Sequence, residues 1–320
     1  MPLDHVPATT LENLAEDLAQ ITARWWTAIA TQNLEQVRSL LISGFDPDSL
    51  HPDSAMTALE IAAEKGALAL IQTLLQAGAL LDAGELSPLG LAAQRGDLAA
   101  LEMLLRAQPG PSLADKCDAL MMATSSDQPQ IVQRLLAAGA LADSMVWEGG
   151  TALHYATDRG HTAVVDALLA AGAEVNLADP DQGWTPLMYA AYDDRADIAQ
   201  RLIAAGADLN ARDPQGRTPL ILAAEACSAQ VAEILIAAGA DTQAMDENGN
   251  SAASWVDPCE TSEAAPRPLT LEALHEEILA EQSYADDLET SLQQLAKAVQ
   301  TLESVEKSGR SRIAQLLGHR

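Results

Sequence analysis

The sequence predicts an all-α solenoid in which short helical units stack side by side. Residues 218–241, TPLILAAEACSAQVAEILIAAGAD, nearly copy residues 185–208, TPLMYAAYDDRADIAQRLIAAGAD, at a distance of 33 residues. A fixed period of this length is typical of stacked supersecondary units, because no unit can bury its apolar face alone. The pattern opens at seven positions, spaced by 30 to 34 residues: Thr57, Ser87, Asp118, Thr151, Thr185, Thr218 and Ser251.

Each opening residue is suited to begin a first helix. The hydroxyl group of a Thr or Ser can accept hydrogen bonds from the free amides of the first helical turn. Proline follows at Pro88, Pro186 and Pro219, where its fixed φ suits the helix and its missing amide proton is not needed. The paired alanines that come next keep this helix narrow, so neighbouring units can pack closely.

A second helix in each unit ends in a doublet of large aliphatic residues, which is expected to supply bulk for the shared core. The segments NLADPDQGW, NARDPQGR and AMDENGN then have turn chemistry and predict projecting hairpin tips. Between the doublet and the tip, a glycine often stands where the helix end needs a left-handed conformation: Gly78, Gly139, Gly172, Gly206 and Gly239.

Together these features resemble the ankyrin repeat, whose pattern reads roughly D-x-x-G-x-T-P-L-H-x-A-A-x-x-G-H, followed by a second helix with a leucine doublet and by G-A-D. The best local copies are GGTALHYATDRGHTAVVDALLAAGAEVN and QGRTPLILAAEACSAQVAEILIAAGAD. The resemblance covers residues 24–256: a capping unit at 24–56, six repeats opening at Thr57 to Thr218, and a partial last repeat at Ser251. It implies helix–turn–helix units with hairpin tips.

The region between the second and third repeats departs from the pattern. LLRAQPGPSLADKCDAL replaces the usual helix end and hairpin there, and the third repeat opens with Asp118 instead of Thr or Ser. The same repeat carries SSDQPQ where a glycine is expected. We therefore expect a distortion or kink of the stack within residues 107–130.

Residues 1–23 are predicted to form an N-terminal capping helix. The segment opens with a possible capping box, Thr9 to Glu12, and its apolar residues recur at helical spacing. These residues would share one face and pack on the first unit: Leu11, Leu14, Leu18 and Ile21.

The C-terminal part is predicted to be helical beyond a proline-rich acidic linker at residues 257–269. In the extension 270–320, ten positions alternate at spacings of three and four, and nine of them are apolar, which is typical of a coiled-coil seam. Two arrangements stay open. The extension folds back as a cap or a helical hairpin that breaks near SYADD, or residues 270–306 associate with themselves or with a partner helix.

The charge of the chain limits its partners. With 18 Lys and Arg against 46 Asp and Glu, the net charge is −28, which repels nucleic acid and anionic lipid and favours a basic protein. The alternative is that acidity only keeps an alanine-rich chain soluble. The N-terminus lacks signal-peptide features, no apolar run is long enough for a membrane span, and three distant cysteines suit a reducing compartment. We therefore expect a cytoplasmic protein.

No catalytic motif is found, and we predict no catalytic residue, cofactor or metal. The chain has no P-loop, GxSxG, HExxH, EF-hand or paired CxxC pattern. His154 and His161 occupy the histidine positions of the family pattern. The resemblance implies that they hold neighbouring backbone by hydrogen bonds and bind no metal.

The resemblance also implies that the concave face, made of hairpin tips and first helices, binds another protein. Trp147, Trp184 and Tyr192 lie close together in repeats four and five, and such rings are favoured binding anchors. The alternative for Trp184 is packing on its neighbouring tip. The predicted partner-binding residues are Trp147, Glu148, Asp158, Arg159, Trp184, Tyr192, Asp193, Arg217 and Glu225.

The leading functional hypothesis is a non-enzymatic scaffold that binds a basic protein on this face. It has two versions, an inhibitor or immunity protein that covers a toxic enzyme, and an adaptor joined through the C-terminal helix. Two other classes stay open: an acidic inhibitor that mimics nucleic acid, and a subunit of an enzyme complex.

Overall fold

The computed structural model describes residues 8–145 and 150–255. Trp147, Glu148, the linker 257–269 and the extension 270–320 lie outside the described residues, so what the sequence predicts for them stays a prediction. The described helices are α1 Ala8–Ala30, α2 Leu34–Ile42, α3 Ala58–Lys65, α4 Leu68–Gln76, α5 Pro88–Gln94, α6 Leu98–Leu105, α7 Leu113–Ser125, α8 Pro129–Ala137, α9 Ala152–Asp158, α10 Thr162–Ala170, α11 Pro186–Tyr192, α12 Ala196–Ala204, α13 Pro219–Glu225 and α14 Ala229–Ala238.

These helices stand in two rows, one of first helices and one of second helices. Each first helix from α3 to α13 contacts the first helix of the next repeat, and each second helix from α2 to α14 contacts the next second helix. Isolated bridges join Leu50 with Thr57 and Met245 with Ser251. The stacked helical units predicted from the period are therefore confirmed. None of the described helices combines the length and hydrophobicity needed to cross a membrane.

The core lies between the two rows, and both rows supply large residues to it, such as Leu59 from a first helix and Leu74 from a second helix. The paired alanines of the first helices, such as Ala62 with Ala63 and Ala190 with Ala191, are fully buried. The second residue of the aliphatic doublet is only partly covered, and Ile236 is 52% exposed. The first residue supplies the core, at about 1.5–3 kcal/mol each: Leu74, Leu104, Leu135, Leu168, Leu202 and Leu235.

The helix ends follow the predicted chemistry. The Thr57 hydroxyl accepts a hydrogen bond from the Glu60 amide at 3.1 Å, and the buried Glu60 carboxylate accepts one from the Thr57 amide at 2.5 Å. Glu60 also accepts from the amide of Leu86 in the next repeat at 2.6 Å, so this cap links two repeats. The glycines predicted at the ends of the second helices all have positive φ, between 84° and 97°: Gly78, Gly139, Gly172, Gly206 and Gly239.

The third repeat departs from the others within the region where a distortion or kink was expected. Helix α7 begins at Leu113, upstream of the predicted opening residue Asp118, and Ser112 and Asp115 form its capping box. Asp118 therefore lies inside a lengthened first helix. Because α7 contacts both α5 and α9, the series of first helices continues through residues 107–130.

The N-terminal helix is longer than predicted. Helix α1 continues through the boundary expected between residues 23 and 24, and with α2 it forms the first helix pair. Trp25 is fully buried and stacks on Phe45 with ring centroids 4.8 Å apart, which covers this end of the core. Leu18 is 62% exposed, so it does not join the buried face predicted for it.

Candidate functional site

Buried aspartates shape the hairpin tips of repeats five, six and seven. Asp179, Asp213 and Asp246 are at most 9% exposed. Their carboxylates accept hydrogen bonds from amides of their own tips at 2.7 to 3.0 Å. Because these donors satisfy the buried carboxylates, each tip keeps one shape and fixes the residues that precede the next helix.

Trp184 fills the space between the tips of repeats five and six. Its side chain is only 6% exposed, and its indole Nε1 donates to Asp213 Oδ2 at 3.2 Å. The ring lies edge-on to Tyr189 at 5.2 Å and tilted against Tyr192 at 5.3 Å, and the Arg217 guanidinium lies over it at 5.5 Å. Of the two roles considered for Trp184, packing on the neighbouring tip fits this burial.

Tyr189 packs against Trp184 and is held by the tip of its own repeat. Its hydroxyl donates to Asp179 Oδ2 at 3.2 Å, and its ring lies 5.9 Å from that of His154. Burial, followed by the nearby Asp179 carboxylate, raises the pKa of Tyr189 well above its usual value. The phenol therefore stays protonated and keeps its hydrogen bond.

A groove of about 400 Å³ opens beside these rings on the face formed by tips and first helices. Tyr192 provides its exposed aromatic surface, with 44% of the residue accessible. The lining contains three carboxyl groups and one guanidinium, so the groove is net acidic. Its lining residues are Asp158, Gln182, Trp184, Tyr189, Tyr192, Asp193, Arg217 and Glu225.

Two carboxyl groups from successive repeats meet in this groove. Asp158 ends α9 and Asp193 follows α11, and their side chains share a hydrogen bond. Burial first, and then the Asp158 charge, raises the pKa of Asp193 to about 6, although Arg195 acts in the opposite direction. The pair therefore carries less than its full negative charge at mildly acidic pH.

Arg217 forms the opposite side of the groove and is already bound within the chain. Its Nε donates to Asp213 Oδ2 at 2.7 Å, and its Nη1 donates to Glu225 Oε2 at 3.2 Å. Beyond Arg217 a second cavity, of about 670 Å³, continues past the tips of repeats six and seven as far as Trp255. The two cavities share Gln182, Arg217 and Glu225.

The histidines have the backbone-holding role that the resemblance implied. His154 is 3% exposed, and its Nε2 lies 3.0 Å from the Leu177 carbonyl and 3.2 Å from the Trp184 carbonyl. Burial lowers the pKa of His154, so the neutral ring donates from Nε2 and accepts from Thr151 at Nδ1. His161 donates from Nδ1 to the Thr124 carbonyl at 2.8 Å.

Six of the nine predicted partner-binding residues line the groove: Asp158, Trp184, Tyr192, Asp193, Arg217 and Glu225. Arg159 lies next to it, with Nε 3.7 Å from Asp158 Oδ2. Sequence reasoning missed Tyr189 as part of the wall. The signal was present, since an aromatic residue directly before the paired alanines of a first helix points toward the preceding tip.

Comparison with known families identifies the repeat. A family model described as "Ankyrin repeats (3 copies)" matches residues 25–116, 89–179 and 176–246. The chain belongs to the ankyrin-repeat family. Ankyrin repeats are scaffolds for protein–protein interaction, and the array described here is such a scaffold. Among its described residues, no group of three or more His, Cys, Asp or Glu side chains is placed to hold a metal ion.

The ankyrin array also resembles parts of two curated proteins. Over 65 residues it is 40% identical to mouse 26S proteasome non-ATPase regulatory subunit 10 and 38% identical to the human protein of that name. The match covers 20% of this chain and 28% of each relative. The likeness therefore concerns about two repeats.

Proposed function

We propose that this chain is a non-enzymatic scaffold that binds a basic protein along the groove of repeats four to six. The observation that carries the proposal is the groove itself. It places an exposed tyrosine, Tyr192, beside an excess of carboxyl groups on a face of rigid tips and short helices. Aromatic rings at the centre of an interface contribute most to binding, and complementary charge selects the partner.

The second cavity supports an extended contact. Since it shares three residues with the groove and ends at Trp255, a partner segment lying along both would cross three successive tips. An array of this kind suits either an inhibitor that covers its partner or an adaptor that holds it. The adaptor version requires a second contact, for which the predicted seam at 270–306 is the candidate.

The test compares two exposed apolar residues at similar accessibility. After capture from native host extract and mass spectrometry, the recombinant partner is titrated against Tyr192→Ala and against Leu80→Ala, a tip residue of another repeat that is 41% exposed. We expect Tyr192→Ala to weaken the complex about tenfold, since truncating a binding-site aromatic costs about 1–2 kcal/mol, and Leu80→Ala to leave affinity unchanged.

Trp184→Ala is unsuitable as the binding variant, because removal of a buried indole lowers stability as well. Circular dichroism and melting of Tyr192→Ala should match those of the parent chain. Equal affinity of the parent and Tyr192→Ala for the captured partner would contradict the proposed site.

A further inference from the structure

The three repeats that form the groove can be compared at the same pair of positions. The pair consists of the residue before the helix-opening Thr and the residue seven positions after that Thr. In repeat six the pair is Arg217 and Glu225, which form a salt bridge at 3.2 Å. In repeat five it is Trp184 and Tyr192, whose rings pack at 5.3 Å.

In repeat four the pair is Gly150 and Asp158. Glycine has no side chain to pair with the carboxylate, so Asp158 lacks the contact that its own repeat would supply at this position. The side chain of Asp158 is 46% exposed and lines the groove. Arg159 forms an ion pair with its carboxylate, with Nε 3.7 Å from Oδ2, which is longer than a hydrogen bond.

Repeat six shows how this chain binds a guanidinium group. Arg217 lies over the Trp184 ring at 5.5 Å, and carboxylates of Asp213 and Glu225 accept hydrogen bonds from it. One aromatic ring and two carboxylates therefore surround one cation. Planar guanidinium suits this arrangement because it stacks on rings and donates to more than one carboxylate oxygen.

One aromatic ring and two carboxyl groups occur again one repeat earlier. The only guanidinium among the groove-lining residues, that of Arg217, belongs to the repeat-six arrangement. Tyr192 offers the ring, and Asp158 and Asp193 offer the two carboxyl groups. We propose that the slot between Tyr192, Asp158 and Asp193 binds one arginine side chain of the protein partner. The inference rests on the proposed function and specifies the partner residue that the groove recognises.

Two cations of the chain lie beside the slot, Arg159 and Arg195. Arg159 forms an ion pair with Asp158 at 3.7 Å, and Arg195 acts on Asp193. Arg195 donates from Nη2 to the main-chain carbonyl of Asp158 at 2.9 Å, not to its carboxylate. Arg217 is held by Asp213 and Glu225 on the far side. Since the Asp158–Asp193 pair retains a proton up to pH 6, even with Arg195 nearby, a guanidinium that displaces this proton would stabilise both carboxylates.

The test uses two peptides of the same length, in which a neutral ureido group replaces the guanidinium group. Acetylated, amidated Gly-Gly-Arg-Gly-Gly is titrated into the full chain at pH 7.5, and the same peptide with citrulline in place of arginine is the neutral control. Binding is followed by NMR at the Tyr192 and Asp193 amides. We expect saturable shifts with the arginine peptide at a Kd on the order of millimolar, as one side chain warrants, and none with citrulline.

Asp158→Asn and Asp193→Asn should each weaken binding of the arginine peptide at least fivefold. Glu64→Gln is the matched control, because exposed Glu64 occupies the position of Asp158 in repeat one and lies outside the groove. At pH 5 we expect affinity about tenfold below that at pH 7, since Asp193 must ionise. Equal binding of citrulline and arginine peptides, or unchanged binding by both Asn variants, overturns the slot.

The slot and the proposed function fail in different ways. Suppose that Tyr192→Ala lowers the affinity for the captured partner, while both Asn variants bind the arginine peptide and the partner normally. The scaffold proposal then stands and the arginine slot is wrong. If the arginine peptide binds as expected but no groove variant changes partner affinity, the slot exists and the proposed interface is wrong.

Discussion

Asp193 is the groove residue at which burial and a neighbouring like charge act together, because both raise its pKa. Its pKa is raised from 3.8 to about 6, so the folded protein holds a proton more tightly than the unfolded chain between these pH values. The stability contributed by this proton is present below about pH 4 and is lost as pH rises through 6. Above pH 7 the ionised group therefore lowers the free energy of unfolding.

We expect Asp193→Asn to raise the free energy of unfolding by about 1 kcal/mol near pH 8, after allowance for solvent screening, and to change it little near pH 4. Urea unfolding followed by circular dichroism at both pH values measures this. Asp197→Asn, at an exposed site on the next helix, is the control and should show no such pH-dependent gain. Equal effects of Asp193→Asn at both pH values would contradict the raised pKa.

The sequence predicted which residues would meet in the groove better than it predicted their roles. Asp158, Asp193 and Glu225 come together because the repeat period places equivalent positions on one face. Trp184 lies buried where an exposed anchor was one of two possibilities, and only contacts from the next repeat decide between them. Those contacts depend on Asp213, 29 residues away, whose burial no local pattern reveals.

At the scale of the helix pair, one turn position takes the left-handed conformation in every repeat. It lies nine residues after the opening position, and its φ is between 50° and 76°. Glycine occupies it in repeats one, two and four, where no Cβ strains this conformation. The other three repeats have Asp127, Asp194 and Cys227 there, so the turn imposes the conformation on residues that have a Cβ. The six residues at this position are Gly66, Gly96, Asp127, Gly160, Asp194 and Cys227.

Asp127→Gly is therefore expected to stabilise the array, by about 0.5–1 kcal/mol, because it removes left-handed strain from the turn between α7 and α8. Chemical unfolding of the full chain measures the change. Asp127→Asn separates strain from charge, since Asn keeps the Cβ and loses the carboxylate. A gain of equal size with Asn would attribute the effect to charge, and a loss with Gly would contradict the argument.

The same turn explains why the third repeat was predicted to be distorted. The sequence shows the missing glycine and the missing hydroxyl, and both are real departures. The repeat period places the opening residue at position 118, whereas Ser112 and Asp115 cap a longer helix that begins upstream at Leu113. The neighbouring helices then hold Asp127 in the required conformation, so the departure stays local.

At the scale of the whole molecule, side chains link repeats about one period apart along the tips. Asp48 accepts from the Leu80 amide, Asn176 from the Asp208 amide and Asn210 from the Asp241 amide, all at 2.8 to 2.9 Å. These bonds and the shared core couple each repeat to the next, as expected of an array whose stability resides largely in its interfaces. Two of these bonds, those of Asn176 and Asn210, join repeats that form the groove.

The net charge of −28 belongs to the entire chain and predicts how a basic partner approaches it. Long-range attraction raises the association rate and is screened by salt, whereas short-range contacts set dissociation. We expect the association rate constant with the captured partner to fall about tenfold between roughly 50 and 500 mM NaCl, with dissociation less affected. Surface plasmon resonance with the recombinant partner measures both rates.

Duplex DNA in the same measurement separates a scaffold from a nucleic-acid mimic. A mimic occupies the DNA-binding surface of its partner, so DNA would compete with it, and this competition would itself weaken with salt. If the chain is a scaffold whose groove binds one arginine, DNA does not compete with it for the partner. Asp158→Asn and Tyr192→Ala still weaken the complex in that case. Salt screens any long-range attraction between charges. An association rate that does not change with salt would therefore mean that the acidic surface contributes only to solubility.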